Sequence, residues 1–219
     1  LGMNDNMGAT LTAFGKVLAL AVIMTILLLI LQYLIAGAIA GVNPVTALRN
    51  MLPAYFTALG TSSSAATIPV TLKSTLNNKV DENVAGFVVP LCATIHLSGS
   101  MMKIGLYAFA VIYMAGMDIS WGLSLGFILL LGIMMIAAPG VPGGAIMAAT
   151  GLLASMLGFN DDMVALMIAA YIVIDSFGTA ANVTGDGAIA LVVNRFAAGK
   201  MERTSTEDAE KQELIDESA

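Results

Sequence analysis

The apolar positions of this chain fall into one long run and several runs that polar or glycine-rich residues interrupt. Residues 11–40 form the uninterrupted run. It exceeds the roughly 20 residues that a helix needs to cross the hydrocarbon core of a membrane, so we predict a transmembrane helix there. The interrupted segments are residues 45–80, 84–115, 121–157 and 162–199.

The charges that flank these segments indicate how each one meets the membrane. Arg49 lies near the start of residues 45–80, and Lys73 and Lys79 lie near their end. Basic residues mark the cytoplasmic side, so we predict that this segment enters the membrane and returns as a re-entrant hairpin. Residues 121–157 have acidic flanks and a centre, "APGVPGGA", that cannot form continuous helix. We predict a second re-entrant hairpin there, entering from the opposite side.

The two remaining segments, residues 84–115 and 162–199, read as transmembrane helices broken at their centres by "TIHLSGSMMK" and "DSFGTAANVTGDG". The order is therefore hairpin, broken helix, hairpin, broken helix, with the second pair inverted. Paired interrupted segments in two halves indicate a transporter with its binding site near the bilayer midplane. The alternative is an ordinary multi-span protein whose small residues serve helix packing.

Composition agrees with an integral membrane protein, because 58% of the 219 residues are hydrophobic and only 11% are charged. Soluble domains have about 25% charged residues. The lipid bilayer is thus an expected partner, and nothing suggests nucleic acid binding. The net charge of −6 depends on residues 200–219, which we predict to be a solvated, disordered acidic tail. The chain starts at Leu1 without a basic leader, and we expect residues 1–10 to be the edge of a fragment.

Four motifs resemble the signatures of the dicarboxylate/amino acid:cation symporter family, which includes the glutamate transporters. They are "TSSSAATIPVT", "VPLCATIHLSGS", "PGVPGGAIM" and "IDSFGTAANVTGDGA". The resemblance implies an all-α elevator fold, in which a mobile transport domain holds two opposed re-entrant hairpins and two broken helices. It also implies a scaffold domain that builds a homotrimer, in the plasma membrane. This chain resembles most of the transport domain.

The substrate site follows partly from chemistry and partly from the resemblance. Asp175 is a carboxylate in an apolar segment, where ionisable groups are costly and usually functional. The resemblance implies that Asp175 binds a substrate ammonium; a structural partner of a nearby cation is the alternative. Helix-end amides at one hairpin tip would receive a carboxylate, and the glycines of the other tip would let it open and close as a lid. The implied substrate-binding residues are Ser63, Ser64, Ser100, Gly140, Val141, Gly143, Asp175, Thr179 and Asn182.

The resemblance places a Na⁺ ligand at Asp186, and carboxylates with unwound backbone carbonyls suit this hard cation. The implied cation-binding residues are His96, Ser98, Asn182 and Asp186. His96 and Ser98 stand where the family has asparagine and aspartate, so one sodium site should be weakened or lost. His96 can titrate near neutral pH, which allows proton coupling; a neutral histidine bonded at the helix break is the alternative.

Three positions bear on substrate choice. Family members that carry acidic substrates have arginines at the positions of Gly178 and Ser62. Without them a small neutral amino acid becomes the expected substrate, carried by Na⁺-coupled symport. Lys103 could restore the positive charge and with it an acidic amino acid or dicarboxylate, could pair with Asp175, or could extend to the membrane interface. A channel or structural membrane protein remains a further alternative, whereas an enzyme is disfavoured by the single histidine and single cysteine.

Overall fold

The computed structural model describes the backbone of residues 3–217 and the side chains of Thr12 and of residues 15–197. These residues fold into ten helices without a strand. The helices are α1 (Met3–Ala40), α2 (Pro44–Asn50), α3 (Leu52–Thr61), α4 (Ser64–Asn77), α5 (Glu82–Ile95), α6 (Ser98–Met114), α7 (Trp121–Ile136), α8 (Gly144–Leu157), α9 (Asp161–Val173) and α10 (Asp175–Glu217).

Polar capping residues set where many of these helices begin. The side chains of Asn43, Ser63, Asp81, Ser120 and Asn160 accept hydrogen bonds from backbone N–H groups in the first turns of α2, α4, α5, α7 and α9, respectively. Those N–H groups have no partner inside the helix, so an oxygen at the cap satisfies them. The short polar residues between the apolar runs therefore define the helix starts.

The hydroxyl-rich residues of α4 form a buried ladder along one face of that helix. Thr67, Thr71 and Thr75 donate to the carbonyls of Ser63, Thr67 and Thr71, at 2.7, 3.1 and 2.8 Å. Each hydroxyl is thus satisfied by the carbonyl four residues earlier, without water. Thr67 Oγ1 also lies 3.0 Å from Thr61 Oγ1 at the end of α3, so these hydroxyls bond within the first hairpin.

Two helical hairpins and two interrupted helices make up the part of the chain after α1. The first hairpin joins α3 to α4 through Ser62 and Ser63, and the second joins α7 to α8 through residues 137–143. The helix α5–α6 is interrupted at His96 and Leu97. Helices α9 and α10 meet at Ile174 with a bend of 63°. Whether each hairpin enters a bilayer and leaves on the same side stays a prediction.

Two segments of the described chain are long and apolar enough to cross a membrane, residues 15–40 and 82–114, and the bent pair α9–α10 could be a third. The side chains of Ile23, Leu27 and Leu31 on α1 are more than half exposed. Trp121, at the start of α7, is 93% exposed. A lipid environment suits exposed aliphatic side chains, and aromatic rings are enriched where a membrane meets water.

The buried apolar residues form two clusters. One cluster gathers residues of α6, α7, α8 and α9 with Ala21 of α1, and the other gathers residues of α1, α2, α3, α5 and α10. Leu97, Ala138 and Ile174, at two helix breaks and in the second hairpin connection, belong to the first cluster. Residues 200–217, for which we expected disorder, continue α10 as helix, while their side chains and those of residues 1–10 lie outside the described part.

Candidate functional site

The tips of the two hairpins touch each other. Ser63 Oγ donates a hydrogen bond to the carbonyl of Gly140 at 2.9 Å, and the N–H of Ala65 donates to the same oxygen at 3.1 Å. Gly140 also packs so tightly against α5 that a Cβ there would overlap the carbonyl oxygen of Ala93. Only glycine allows this approach, and the contact joins both tips and α5 into one closed arrangement.

A small cavity of about 10 Å³ lies beneath the touching tips, which is the space that one water molecule needs. Four helices of the described chain line it with residues of their first turns: Ser64 on α4, Ser100 on α6, Ala145 on α8 and Asp175 on α10. Helix N-termini present backbone N–H groups and the positive end of the helix dipole. The full lining is Ser62, Ser64, Leu97, Ser100, Pro139, Gly140, Val141, Ala145, Tyr171, Asp175, Thr179 and Asn182.

Asp175 is held from two sides. The N–H of Gly143, in the second hairpin tip, donates to Asp175 Oδ2 at 2.7 Å. On the other side, Lys103 Nζ lies 3.5 Å from Asp175 Oδ1, 2.9 Å from the carbonyl oxygen of Ile174 and 3.1 Å from that of Asp175. An ammonium group has three donors, so these contacts use all of them. The carboxylate that we predicted to meet an ammonium meets one that belongs to the chain itself.

Lys103 occupies space that Gly178 leaves free. Its side chain is fully buried, and a Cβ added at Gly178 would overlap the Lys103 Cε and lie 2.5 Å from its Nζ. The Tyr171 ring lies on another side, with its centroid 4.2 Å from Nζ, which is a cation–π contact. Of the three arrangements considered for Lys103, the structure has the pair with Asp175, and burial rules out a position at the membrane interface.

Asn182 organises the break in α5–α6. Its Oδ1 accepts from the backbone N–H groups of Gly99 and Ser100, at 2.8 and 3.3 Å, and its Nδ2 donates to Ser100 Oγ at 2.9 Å. Leu97, at the N-cap of α6, has no side-chain oxygen, so a residue of α10 caps this helix instead. Asn182 lines the cavity, but its amide group is engaged with α6.

A second polar cluster surrounds Asp186 on α10. His96 Nδ1 lies 2.8 Å from Asp186 Oδ1. Gln32 of α1 reaches the same place, with its Nε2 3.4 Å from both His96 Nε2 and Ser98 Oγ. A neutral imidazole satisfies both of its contacts if Nδ1–H donates to the carboxylate and Nε2 accepts from Gln32. The predicted cation residues His96, Ser98 and Asp186 are thus together.

This cluster contains acceptor oxygens that lack a partner. Asp186 Oδ2 and Gln32 Oε1 are buried and have no hydrogen-bond partner in the part of the chain that the structure describes. Buried acceptors without partners are unusual and need an explanation. No group of three or more His, Cys, Asp or Glu side chains gathers among the described residues, so a transition-metal site is not indicated. Unpaired oxygens of mixed type suit a hard monovalent cation.

The structure brings most of the predicted substrate residues to the cavity. Ser64, Ser100, Gly140, Val141, Asp175, Thr179 and Asn182 line it, as does the specificity position Ser62. Ser63 bonds across to the opposite hairpin and Gly143 bonds to Asp175, while Gly178 faces Lys103.

Sequence reasoning missed Tyr171 and Gln32. Both carried a signal: Tyr171 lies four residues before Asp175, and Gln32 is an amide in an apolar run. Polar side chains in such surroundings are often functional.

Comparison with known proteins gives a consistent result. Residues 3–196 match the sodium:dicarboxylate symporter family. The chain is 33% identical over 171 residues to excitatory amino acid transporter 1 of Ambystoma tigrinum, covering 78% of this chain and 31% of that protein. It is 29% identical over 204 residues to a putative sodium-dependent excitatory amino acid transporter of Caenorhabditis elegans, covering 93% of this chain and 41% of that protein. The chain therefore spans between about a third and two fifths of the length of these relatives.

Proposed function

Because this chain belongs to the sodium:dicarboxylate symporter family, we propose that it forms the substrate- and ion-binding part of a sodium-coupled symporter for an acidic amino acid or a dicarboxylate. The family is the one that the four sequence motifs indicated, and it is a family of membrane transporters. The observation that carries the proposal is a small cavity whose lining combines residues from the first turns of four helices with a carboxylate paired to a buried lysine.

The electrostatics of this cavity favour a solute with carboxylate groups. A helix N-terminus carries roughly +0.5 of an elementary charge, which attracts an anion. The C-terminus of α9, which carries the opposite partial charge, also lies close. Lys103 donates a hydrogen bond to the carbonyl of Ile174 at this C-terminus. Because Lys103 also cancels the charge of Asp175, an entering carboxylate meets hydroxyls and amides rather than an isolated negative charge.

Binding of an amino acid requires the second hairpin to move. The cavity has room for about one water, and Asp175 Oδ2 is held by the N–H of Gly143. An arriving ammonium therefore takes Asp175 Oδ2 when the tip carrying Gly143 withdraws. In our proposal this hairpin acts as the lid, and the transport domain then moves by the elevator mechanism in a homotrimer at the plasma membrane.

Sodium is the coupling ion in the proposal, and it is cargo rather than a resident group. Asp186 supplies a buried carboxylate oxygen without a partner, and Gln32 Oε1 supplies a further oxygen. Sodium prefers such ligands. His96 makes its contacts to Gln32 and Asp186 as a neutral imidazole, and a neutral imidazole can take up a proton. Proton coupling through His96 is therefore the alternative to sodium coupling that has to be tested.

A small neutral amino acid is the second candidate substrate. Gly178 and Ser62 supply no cationic side chain at the two positions where the family resemblance implied arginine. All three donors of Lys103 are engaged, so Lys103 does not clamp a second carboxylate in this conformation.

Uptake into proteoliposomes separates these candidates. The protein, as its gene encodes it, would be reconstituted and offered labelled aspartate, succinate, serine and alanine, with and without an inward Na⁺ gradient. Concentrative, Na⁺-dependent uptake of aspartate or succinate is expected. Uptake restricted to serine and alanine would replace the proposal with the neutral candidate, and uptake that follows only a pH gradient would replace Na⁺ by H⁺. Asp175→Asn should abolish amino acid uptake, with Asp118→Asn, outside the cavity lining, as the matched control.

A further inference from the structure

Tyr171 is a cavity-lining residue with an unused polar atom. It lies in the last turn of α9, its side chain is almost fully buried, and it lines the cavity beneath the hairpin tips. Its hydroxyl is close to Ser100 and Asp175 but has no well-aligned hydrogen bond to any described residue. A buried hydroxyl without a partner is unfavourable. The position of this hydroxyl at the cavity therefore indicates that a molecule bound there accepts its hydrogen bond.

The neighbouring acceptors are already engaged with other groups. Asp175 Oδ1 faces Lys103 Nζ, and Asp175 Oδ2 accepts from the N–H of Gly143. Ser100 Oγ accepts from the amide of Asn182. Because the Tyr171 hydroxyl makes no hydrogen bond to a described residue, it can donate to a group that enters the cavity without breaking an existing bond.

We propose that Tyr171 is a substrate-contacting residue whose O–H donates a hydrogen bond to a carboxylate oxygen of the bound solute. This inference rests on the proposed transport function and adds a specificity residue to it. A phenol donor bonds strongly to an ionised acceptor, because charge-assisted hydrogen bonds exceed neutral ones in strength. It would supply part of the recognition that is lost where Gly178 and Ser62 replace arginine.

Lys103 supports this role as a positioning residue. Its ammonium group lies over the Tyr171 ring and is anchored by three acceptors on the α9–α10 connection. The cation–π contact fixes the ring, and the nearby positive charge favours a negative acceptor at the hydroxyl. Lys103 thus affects the substrate through Tyr171, since its own donors are occupied.

The test is Tyr171→Phe, which removes one hydroxyl and leaves the ring under Lys103. We expect the KM for the transported carboxylate to rise by at least about tenfold with little change in maximal rate, because a hydrogen bond to a charged group is lost. The substrate-free protein should be as stable as wild type or more stable, because the variant removes an unpartnered hydroxyl.

Tyr33→Phe is the matched control for stability. Tyr33 is equally buried, and its hydroxyl donates to the carbonyl of Thr184 at 2.7 Å. This control should lower the melting temperature of the substrate-free protein, which Tyr171→Phe should not do. A second measurement compares aspartate with its side-chain amide, asparagine; the wild-type preference for aspartate should shrink in Tyr171→Phe.

Either of two results would overturn the inference: a KM within twofold of wild type, or a loss of stability like that of Tyr33→Phe, which would make the hydroxyl structural. The measurement uses whichever solute the wild type transports, since neutral amino acids also carry a carboxylate. A neutral solute with a raised KM in Tyr171→Phe would overturn the proposed substrate class and assign the Tyr171 contact to the α-carboxylate, not to the side-chain carboxylate that arginine would bind. A wild type that transports none of the four solutes would count against both.

Discussion

Replacing Lys103 with methionine removes the buried cation from beside Asp175 while keeping a side chain of similar length. The Lys103 Nζ and Asp175 Oδ1 are 3.5 Å apart, and the side chains are 0% and 7% exposed. At an effective dielectric constant of about 20, two unit charges at that distance interact by about 5 kcal/mol. Breaking a buried pair by removing one partner typically costs about 3–5 kcal/mol. We therefore expect Lys103→Met to lose roughly 3–5 kcal/mol of unfolding free energy.

The assay is equilibrium unfolding in mixed micelles, followed by the fluorescence of Trp121, the single tryptophan of this chain. Two further variants complete a double-mutant cycle with Lys103→Met: Asp175→Asn and the combination of both. The double variant carries no buried charge at this point, so it should recover most of the stability that Lys103→Met loses. Gly143 can still donate to the amide oxygen of an asparagine at position 175.

Two results would refute this reasoning. If Lys103→Met were within about 1 kcal/mol of wild type, the pair would not stabilise the closed site. If the double variant were no more stable than Lys103→Met, the cost would come from lost packing of the lysine side chain and not from an uncompensated carboxylate.

Three further changes test other parts of the site. Gly178→Ala should displace Lys103 and lower both the melting temperature and the uptake rate, whereas Gly105→Ala, with open space around it, should change neither; equal effects would contradict the packing argument. Asp186→Asn should raise the Na⁺ concentration for half-maximal uptake by about tenfold or more, equivalent to about 1.4 kcal/mol, and an unchanged Na⁺ titration would remove Asp186 from the ion site. Ser63→Ala should cost at least about 1 kcal/mol of unfolding free energy, because it removes an N-cap and the hydrogen bond to the Gly140 carbonyl; an unchanged denaturant midpoint for unfolding in mixed micelles would contradict both roles.

The interruptions between helices follow from local chemistry that the sequence displays. Pro139 and Pro142, with the glycines around them, cannot continue a helix, and α7 ends at Ile136. The hydroxyls of the first tip similarly precede α4, where Ser63 caps the helix. Such signals act over a few residues and need no knowledge of the folded chain.

The contacts inside the site could not be predicted in the same way, because they depend on how distant segments pack. From the sequence, Gly178 indicated only that the family's arginine was absent. In the structure, the lack of a Cβ at this position makes room for Lys103. Lys103 itself had three arrangements that the sequence could not separate. Tyr171 and Gln32 became candidates only when the structure brought them beside Asp175 and His96.

The fit of Lys103 over Gly178 restricts the order in which substitutions at these positions can accumulate during evolution. With a larger residue at position 178, a lysine at 103 cannot take the position seen here, because the first carbon of that residue would overlap the lysine side chain. A lysine that arrives before the glycine must therefore point elsewhere. Once the lysine is buried and bonded to three acceptors, a larger residue at position 178 would break those bonds. The buried lysine therefore selects against substitutions that remove the glycine.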